Sequence, residues 1–437
     1  MNAGGPPSGG GAPRLSDAQR FDWLRLIRCE GIGPRTFRAL VNRYGGAGEA
    51  LRALPELARR RGRGELRIPM AAEIEREMEA ARRWGVRFVA TGEAEYPRLL
   101  AATDTAPPLI AVRGEAGVLG RPCVAMVGSR NASAGGLALA GRLARELSEA
   151  GVVVVSGLAR GVDASAHRGA LERGTVAVLA GGHDRLYPPE NAALLDALLE
   201  TGCAVAEMPM GWTPRGRDFP RRNRIVSGLS HAVIVIEAAR KSGSLITARF
   251  ALEQGREVLA VPGSPLDPRA EGANSLIRQG ATLVTCAEDV LEALEPALRG
   301  GPAPSPPLGA REPRDGEGEP LWDEYDLLDA DADGGTSAAG RGDAPPPAAR
   351  ANAAAGPAAA FGDAEDDAGA PPRSPRETVT ALLGVSPVPV DELVRASGLA
   401  SRTVQLVLFD LEEKGRLDRH GAALVSLRPP GDGKPGG

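Results

Sequence analysis

PCVAMVGSRNASAGGLALAGRLARELSEAGVVVVSG, residues 122–157, holds a complete strand–helix–strand unit. PCVAMVGS and VVVVSG are short apolar runs that end in glycine or serine, and GGLALAGRLARELSEAG between them has the length and composition of a helix. A strand that is apolar without alternation belongs in a sheet covered on both faces. The pattern continues downstream. Strands TVAVLAGG, CAVAEMP, HAVIVIEA, EVLAVPG and TLVT alternate with helical VDASAHRGALERG, ENAALLDALLETG, SLITARFALEQG and NSLIRQGA. Residues 121–297 are therefore predicted to form an extended Rossmann-like α/β domain with a parallel sheet and right-handed crossovers. Ligands in such folds collect at the carboxyl ends of the strands. Those ends read Gly128-Ser129-Arg130, Ser156-Gly157, Gly181-Gly182, Glu207, Glu237 and Pro262-Gly263.

The usual ligands of this fold are excluded by its loops. GSRNASAGG after the first strand is no G-x-G-x-x-G, and the second strand ends in Ser-Gly where a ribose-binding acid is expected. No phosphate-binding P-loop follows any strand. The loop PRGRDFPRRNRIVSGLS (214–230) points elsewhere: it sets Arg215, Arg217, Arg221, Arg222 and Arg224 against one acid, Asp218, with Phe219 among them. Guanidinium groups to follow a phosphate chain and a ring to stack on a base are what single-stranded nucleic acid requires.

On the N-terminal side, SDAQRFDWLRLIRC reads as a helix capped by Ser16, and Gly31-Ile32-Gly33-Pro34 opens a second, RTFRALVNRY. This makes residues 16–70 a small helix-hairpin-helix or SAM-like domain, either a phosphate-holding element or a plain packing unit. Residues 71–120 read as a connecting segment packed on the core, with a helix at AAEIEREMEAARRWG, a strand VRFVA and the extended, proline-marked EYPRLL and APPLIAVRG. On the C-terminal side, 298–374 is an acidic Pro/Ala/Gly-rich stretch expected to be a flexible linker, with WDEYDLL (322–328) as its one apolar patch. Three helices and a hairpin around His420-Gly421 then make 375–428 a winged helix. Its third helix, expected to be capped by Ser401, carries Arg402 and Gln405 but also Asp410, Glu412 and Glu413, more acidic than a DNA-reading helix usually is. Residues 1–15 and 429–437 are expected to be disordered.

The formal charge of −4 conceals an asymmetry. Residues 301–370 contain 15 acids and four bases, so the remainder of the chain is basic. All but three of the 52 basic residues are arginine, and aromatics are only 3% of the chain, which gives weight to an aromatic inside a polar loop. Four cysteines without Cys-x-x-Cys spacing, no apolar leader and no run of about 20 apolar residues fit a cytoplasmic protein with reduced thiols, no bound metal and no membrane contact.

The segments MVGSRNASAGG, SGLARGVDASAHRGAL, AGGHDRLYPPENAALL, AEMPMGWTPRGRDFPRRNRIVSGLS, IVIEAARKSGSLITARFALEQGREVLAVPG and EGANSLIRQGATLV stand in that order. Together they resemble the DNA-processing protein A family (DprA or Smf) over about residues 85–296. The resemblance implies a dimeric single-stranded DNA binder that loads the RecA recombinase during natural transformation, with single-strand-binding protein as a further partner and no catalysis or cofactor. It implies a phosphate pocket at Gly128, Ser129 and Arg130. Phe219, Arg222, Asn223 and Arg224 match the family's Phe-x-x-Arg-Asn-Arg pattern, with Arg221 between, and Arg215 or Arg217 stands in for a lysine common in the family. Ser242, Gly243, Ser244 and Thr247 match an S-G-S-L-x-T segment that either binds phosphate or merely caps a helix. Leu276, Ile277, Leu283 and Leu291 fall where the family's self-contact is expected. Glu207 and Glu237 are expected to orient arginines, and His167 to be structural. Two other classes remain open: a phosphoribohydrolase acting on nucleoside monophosphates, and a duplex-binding regulator working through the winged helix. EAARKSGSLIT lacks the double glycine and following glutamate of the former.

Overall fold

Ser16 opens the first helix, α1 (Asp17–Ile27), by accepting from the Gln19 amide while the Gln19 side chain accepts from the Ser16 amide. Two otherwise orphaned donors are thereby satisfied. The computed structural model describes residues 14–60, 66–299, 374–421 and 423–428. After α1 come α2 (Pro34–Tyr44), with Pro34 in its first turn, and α3 (Ala47–Arg60). Leu26, Phe37, Leu40 and Leu54 form their common core, with Trp23 packed edge-on against Phe37.

The next elements are α4 (Ala71–Arg83), β1 (Val86–Ala90), α5 (Arg98–Ala101) and β2 (Leu109–Gly114). The alternating unit follows as β3 (Cys123–Gly128), α6 (Ala134–Glu149), β4 (Val153–Ser156), α7 (Val162–Ala170), β5 (Thr175–Leu179), α8 (Ala192–Leu199) and β6 (Cys203–Ala206). It continues with α9 (Asp218–Gly228), β7 (Ala232–Ile236), α10 (Gly243–Glu253) and β8 (Glu257–Ala260). The unit closes with α11 (Glu271–Arg278), β9 (Thr282–Leu283) and α12 (Ala287–Arg299). One sheet runs in the order β1-β2-β6-β5-β4-β3-β7-β8-β9, parallel from β6 to β9. The strand order reverses at β3, which puts a crevice beyond the carboxyl ends of β3, β4 and β7. Segment 71–120 does more than connect. Its β2 pairs antiparallel with β6, and β1 antiparallel with β2, extending the sheet by two strands.

Alternate side chains of β3 go to opposite layers. Cys123, Ala125 and Val127 face Ile225, Val226, Ala248 and Ala251 of α9 and α10, whereas Val124 and Met126 face Leu143, Leu147 and Ala166 of α6 and α7. Both faces are covered, as the unbroken apolar strands require. Helices α6 and α7 approach so closely that a Cβ on Gly169 would lie 2.2 Å from the Gly141 carbonyl oxygen. Gly169→Ala is expected to cost about 1–3 kcal/mol through this overlap. A thermal melt unchanged by that methyl group would show that the helices can part.

The C-terminal module consists of α13 (Pro375–Leu382), β10 (Val388–Pro389), α14 (Val390–Ser397), α15 (Ser401–Glu413), β11 (Leu417–His420) and β12 (Leu424–Leu427). Its three-stranded sheet and three helices make the expected winged helix. Ala400, not Ser401, holds the cap position of α15, so the Ser401 hydroxyl lies one residue too far along to cap it. The module packs on Ala134 and Leu137 of α6, and Arg269 donates to the carbonyls of Ala381 and Leu383 across the contact. Residues 300–373 of the expected linker, WDEYDLL included, and nearly all of both expected tails lie outside the described residues.

Candidate nucleic-acid interface

The site grows from the β3 end. A Cβ on Gly128 would lie 1.9 Å from the Ile236 carbonyl oxygen, so only glycine lets β3 run this close to β7. The Ser129 amide donates to that same oxygen at 3.4 Å, and the Ser129 hydroxyl accepts from the Asn131 amide. The loop is thereby fixed, and Arg130 projects from it. Its guanidinium carbon stands 5.2 Å from the centre of the Phe219 ring, and the Tyr187 ring meets the Phe219 ring edge-on at 5.4 Å between centroids. A cation over a ring face is held by the ring quadrupole, so Arg130 is pre-positioned without an acid partner among the described residues.

Around this pair lies a small cleft lined by Arg130, Gly157, Ala159, Arg160, Tyr187, Pro188, Phe219 and Arg222. Arg160 stands at its rim beside Glu190, 3.5 Å away. Arg222 comes up from α9 into a buried position, where it donates to the carbonyls of Gly157 and Val178 and to the Asn223 side chain. Burial pushes its pKa down to about 10, while Asp163 nearby works the other way. Asp163 is itself buried, accepts from the Gly157 and Ala159 amides, and is pushed upward by loss of solvent despite the opposing field of Arg222. Arg222 is thus held in place by two carbonyls, the Asn223 side chain and the field of Asp163, beneath the floor of the cleft.

The remaining loop arginines separate into two groups. Arg215 and Arg217 are exposed, and Arg215 lies over the Trp212 ring at 5.0 Å. Asp218 is buried under them, accepting from the Trp212 indole and the Arg215 amide, so the loop's single acid orders its aromatic neighbour. Arg224, by contrast, is 2% exposed. It binds the Glu207 carboxylate at 2.5 Å and the Thr105 carbonyl, while Arg221 takes the other Glu207 oxygen at 3.2 Å. Burial would raise the Glu207 pKa, but these two guanidinium groups outweigh it and hold the carboxyl below its usual range. Arg224, expected to hold phosphate, instead has its guanidinium turned inward, to the Glu207 carboxylate and the Thr105 carbonyl.

The other expected residues fall as follows. Ser242 accepts from the Ser244 amide as the cap of α10, and Ser244 and Thr247 are buried; this is the helix-capping alternative, and Asn223 reaches the Gly243 carbonyl at 3.4 Å to tie α9 to α10. Glu207 orients arginines, but Glu237 does not: its carboxylate accepts from the amide and hydroxyl of Ser133 at the start of α6. His167 is structural as expected. It is buried, pushed down to about 3 by loss of solvent, and bonded through Nδ1 to Thr175. At the sheet edge Leu283 is 48% exposed, whereas Leu276 and Ile277 pack partly on one face of the sheet and Leu291 on the other. Trp212 and Arg160 were not singled out by sequence. A tryptophan in MGWTPRGRD was legible as a ring beside cations, like Phe219; Arg160 gave no comparable signal. Among the described residues no cluster of side chains suits a metal, and no helix is long and apolar enough to cross a membrane.

Comparison with known proteins bears on this geometry. The family model described as DNA recombination-mediator protein A matches residues 87–295, flanked by a DprA-like N-terminal HHH domain at 17–80 and a DprA winged helix domain at 363–422. The DNA processing protein DprA of Bacillus subtilis is 41% identical over 226 residues, which span 51% of this chain and 76% of that protein. The chain belongs to the DNA-processing protein A family. Protein Smf of Escherichia coli is 47% identical over 209 residues, covering 47% of this chain and 56% of that protein. The X-ray structure of DprA from Streptococcus pneumoniae superposes with a TM-score of 0.53 at 30% identity, over 64% of this chain and 98% of that one. The first four segments of the DprA/Smf resemblance lie at the carboxyl ends of β3 to β6 and in the helices that follow, and the last two run on through α10, β8, α11 and β9.

Proposed function

We propose that this DprA-family protein is a cytoplasmic, non-enzymatic, single-stranded DNA-binding recombination mediator. It protects incoming single strands and loads RecA onto them, with single-strand-binding protein as the species displaced, during natural transformation. One observation carries the reading: Arg130 lies on the Phe219 ring within an arginine-lined cleft at the carboxyl edge of the sheet, and the segment that carries Phe219 holds a second guanidinium-on-ring pair, Arg215 on Trp212. Cations there follow phosphates, and the rings offer faces to any base, so binding tolerates sequence as a loader needs. Arg130, Arg160, Arg215, Arg217 and Arg221 are the phosphate partners in this reading. Gly128 and Ser129 shape the loop, and the inward Arg222 supplies charge from below. Family membership supports a homodimer, with the β9 edge around Leu283, Leu276 and Ile277 as its contact and Leu291 behind it.

Titration of the full chain with oligo-dT against duplex of equal length tests the site. The single strand is expected to bind more tightly. Arg130→Ala should weaken it and reduce the dependence of log affinity on log salt by about 0.7 for the lost phosphate contact. Equal affinity for duplex, with no change of slope, would remove the cleft from consideration. Faster RecA assembly on strands already covered by single-strand-binding protein tests the mediator role. Release of free base from nucleoside monophosphates, with no effect on RecA, would favour the hydrolase instead.

A further inference from the structure

The third helix of a winged helix ordinarily reads DNA, yet α15 presents Leu406 at 62% and Phe409 at 63% exposure. Arg402, Leu406, Phe409 and Glu413 are spaced 4-3-4, which places them along one face. This is the spacing of a seam between two helices. The charged neighbours of that face are already satisfied within the module. Asp410 pairs with Arg376 and Lys414, and Glu412 with Arg419. Among the described residues Arg402 and Glu413, which frame the apolar pair, enter no ion pair.

The stripe is also self-complementary. Across a two-fold axis through the midpoint of Leu406 and Phe409, an antiparallel copy sets Leu406 against Phe409 and Arg402 against Glu413, each twice. That reciprocity is what an isologous contact demands. A DNA phosphate backbone offers no match for two exposed apolar side chains ending in a carboxylate. We infer that α15 is a homotypic docking surface: the winged helices of two copies of this chain pair antiparallel through Arg402, Leu406, Phe409 and Glu413. This goes beyond the single-strand reading and does not depend on it. Four residues a side are far fewer than the roughly 20–30 of a standard interface, so the pairing is weak in free solution and strengthens where copies gather.

Sedimentation equilibrium of the full chain up to about 100 µM tests this, in a Leu276→Asp background so that the proposed sheet-edge contact does not contribute. A thermal melt establishes first that the background is folded. The chain is expected to self-associate. Arg402→Glu alone, or Glu413→Arg alone, should raise the dissociation constant about tenfold, because each makes both symmetric contacts repulsive. The doubly exchanged chain should recover the parental value. These positions are exposed, so loss of association without recovery cannot be ascribed to unfolding if the melts agree. A monomeric background chain would overturn the inference, as would a double exchange no better than the singles. So would α15 variants that alter duplex binding and leave self-association unchanged.

Discussion

Glu207→Gln is expected to destabilise the α/β domain by about 3–5 kcal/mol, the usual cost of stranding one charge of a buried pair. Arg224 is 2% exposed, and its guanidinium has the Glu207 carboxylate and the Thr105 carbonyl as partners. With the carboxylate neutralised the cation stays out of water, because the Arg224 side chain is almost fully buried. For a domain of this size the melting temperature should fall by about 10 °C. Glu207→Gln combined with Arg224→Met should be less damaging than Glu207→Gln alone, since no charge is then left buried. Additive melts would dissolve the pair as a unit. The same coupling sets a pH dependence. Glu207 is held below its usual range in the folded chain, so its stabilisation is present above the unfolded carboxyl pKa and is lost as pH falls through the folded one.

That pair also marks the limit of what the sequence could reveal. The sheet was legible because β3, β4, β5 and β7 are apolar at every position between their polar ends, and only burial on both faces accounts for that. The strand ends were legible for the same reason. The run PRRNR was not. It carries its arginines on a helix, and whether one turns out or in depends on carboxylates and carbonyls far away in sequence: Glu207 and Thr105 for Arg224, Gly157 and Val178 for Arg222. Local charge counts treat all three of its arginines alike. Within 71–120 the strand VRFVA and the extended APPLIAVRG were legible, but their place in the sheet was not: β1 and β2 join it antiparallel, so the alternation of strand and helix that revealed the parallel part does not extend to them.

Removal of both rings, Phe219→Ala with Trp212→Ala, is expected to have the largest effect on oligo-dT binding. Each stacked base contributes about 1–3 kcal/mol, so each single change should weaken binding roughly five- to 150-fold. The two act differently on their neighbours. Phe219 is the platform under Arg130, and its loss frees that guanidinium to sample solvent as well as removing a stacking face. Phe219→Ala and Arg130→Ala should therefore be less than additive in a double-mutant cycle, whereas Phe219→Ala and Trp212→Ala should approach additivity. Salt separates the two contributions. Stacking releases no counterion, so Phe219→Ala should leave the slope nearly where it was, and Arg130→Ala should flatten it. Trp212→Ala also deprives Asp218 of its indole donor, so a thermal melt must accompany it. Parental affinity in the folded double variant would place the bases elsewhere on the chain and leave the arginine-lined cleft with phosphates alone.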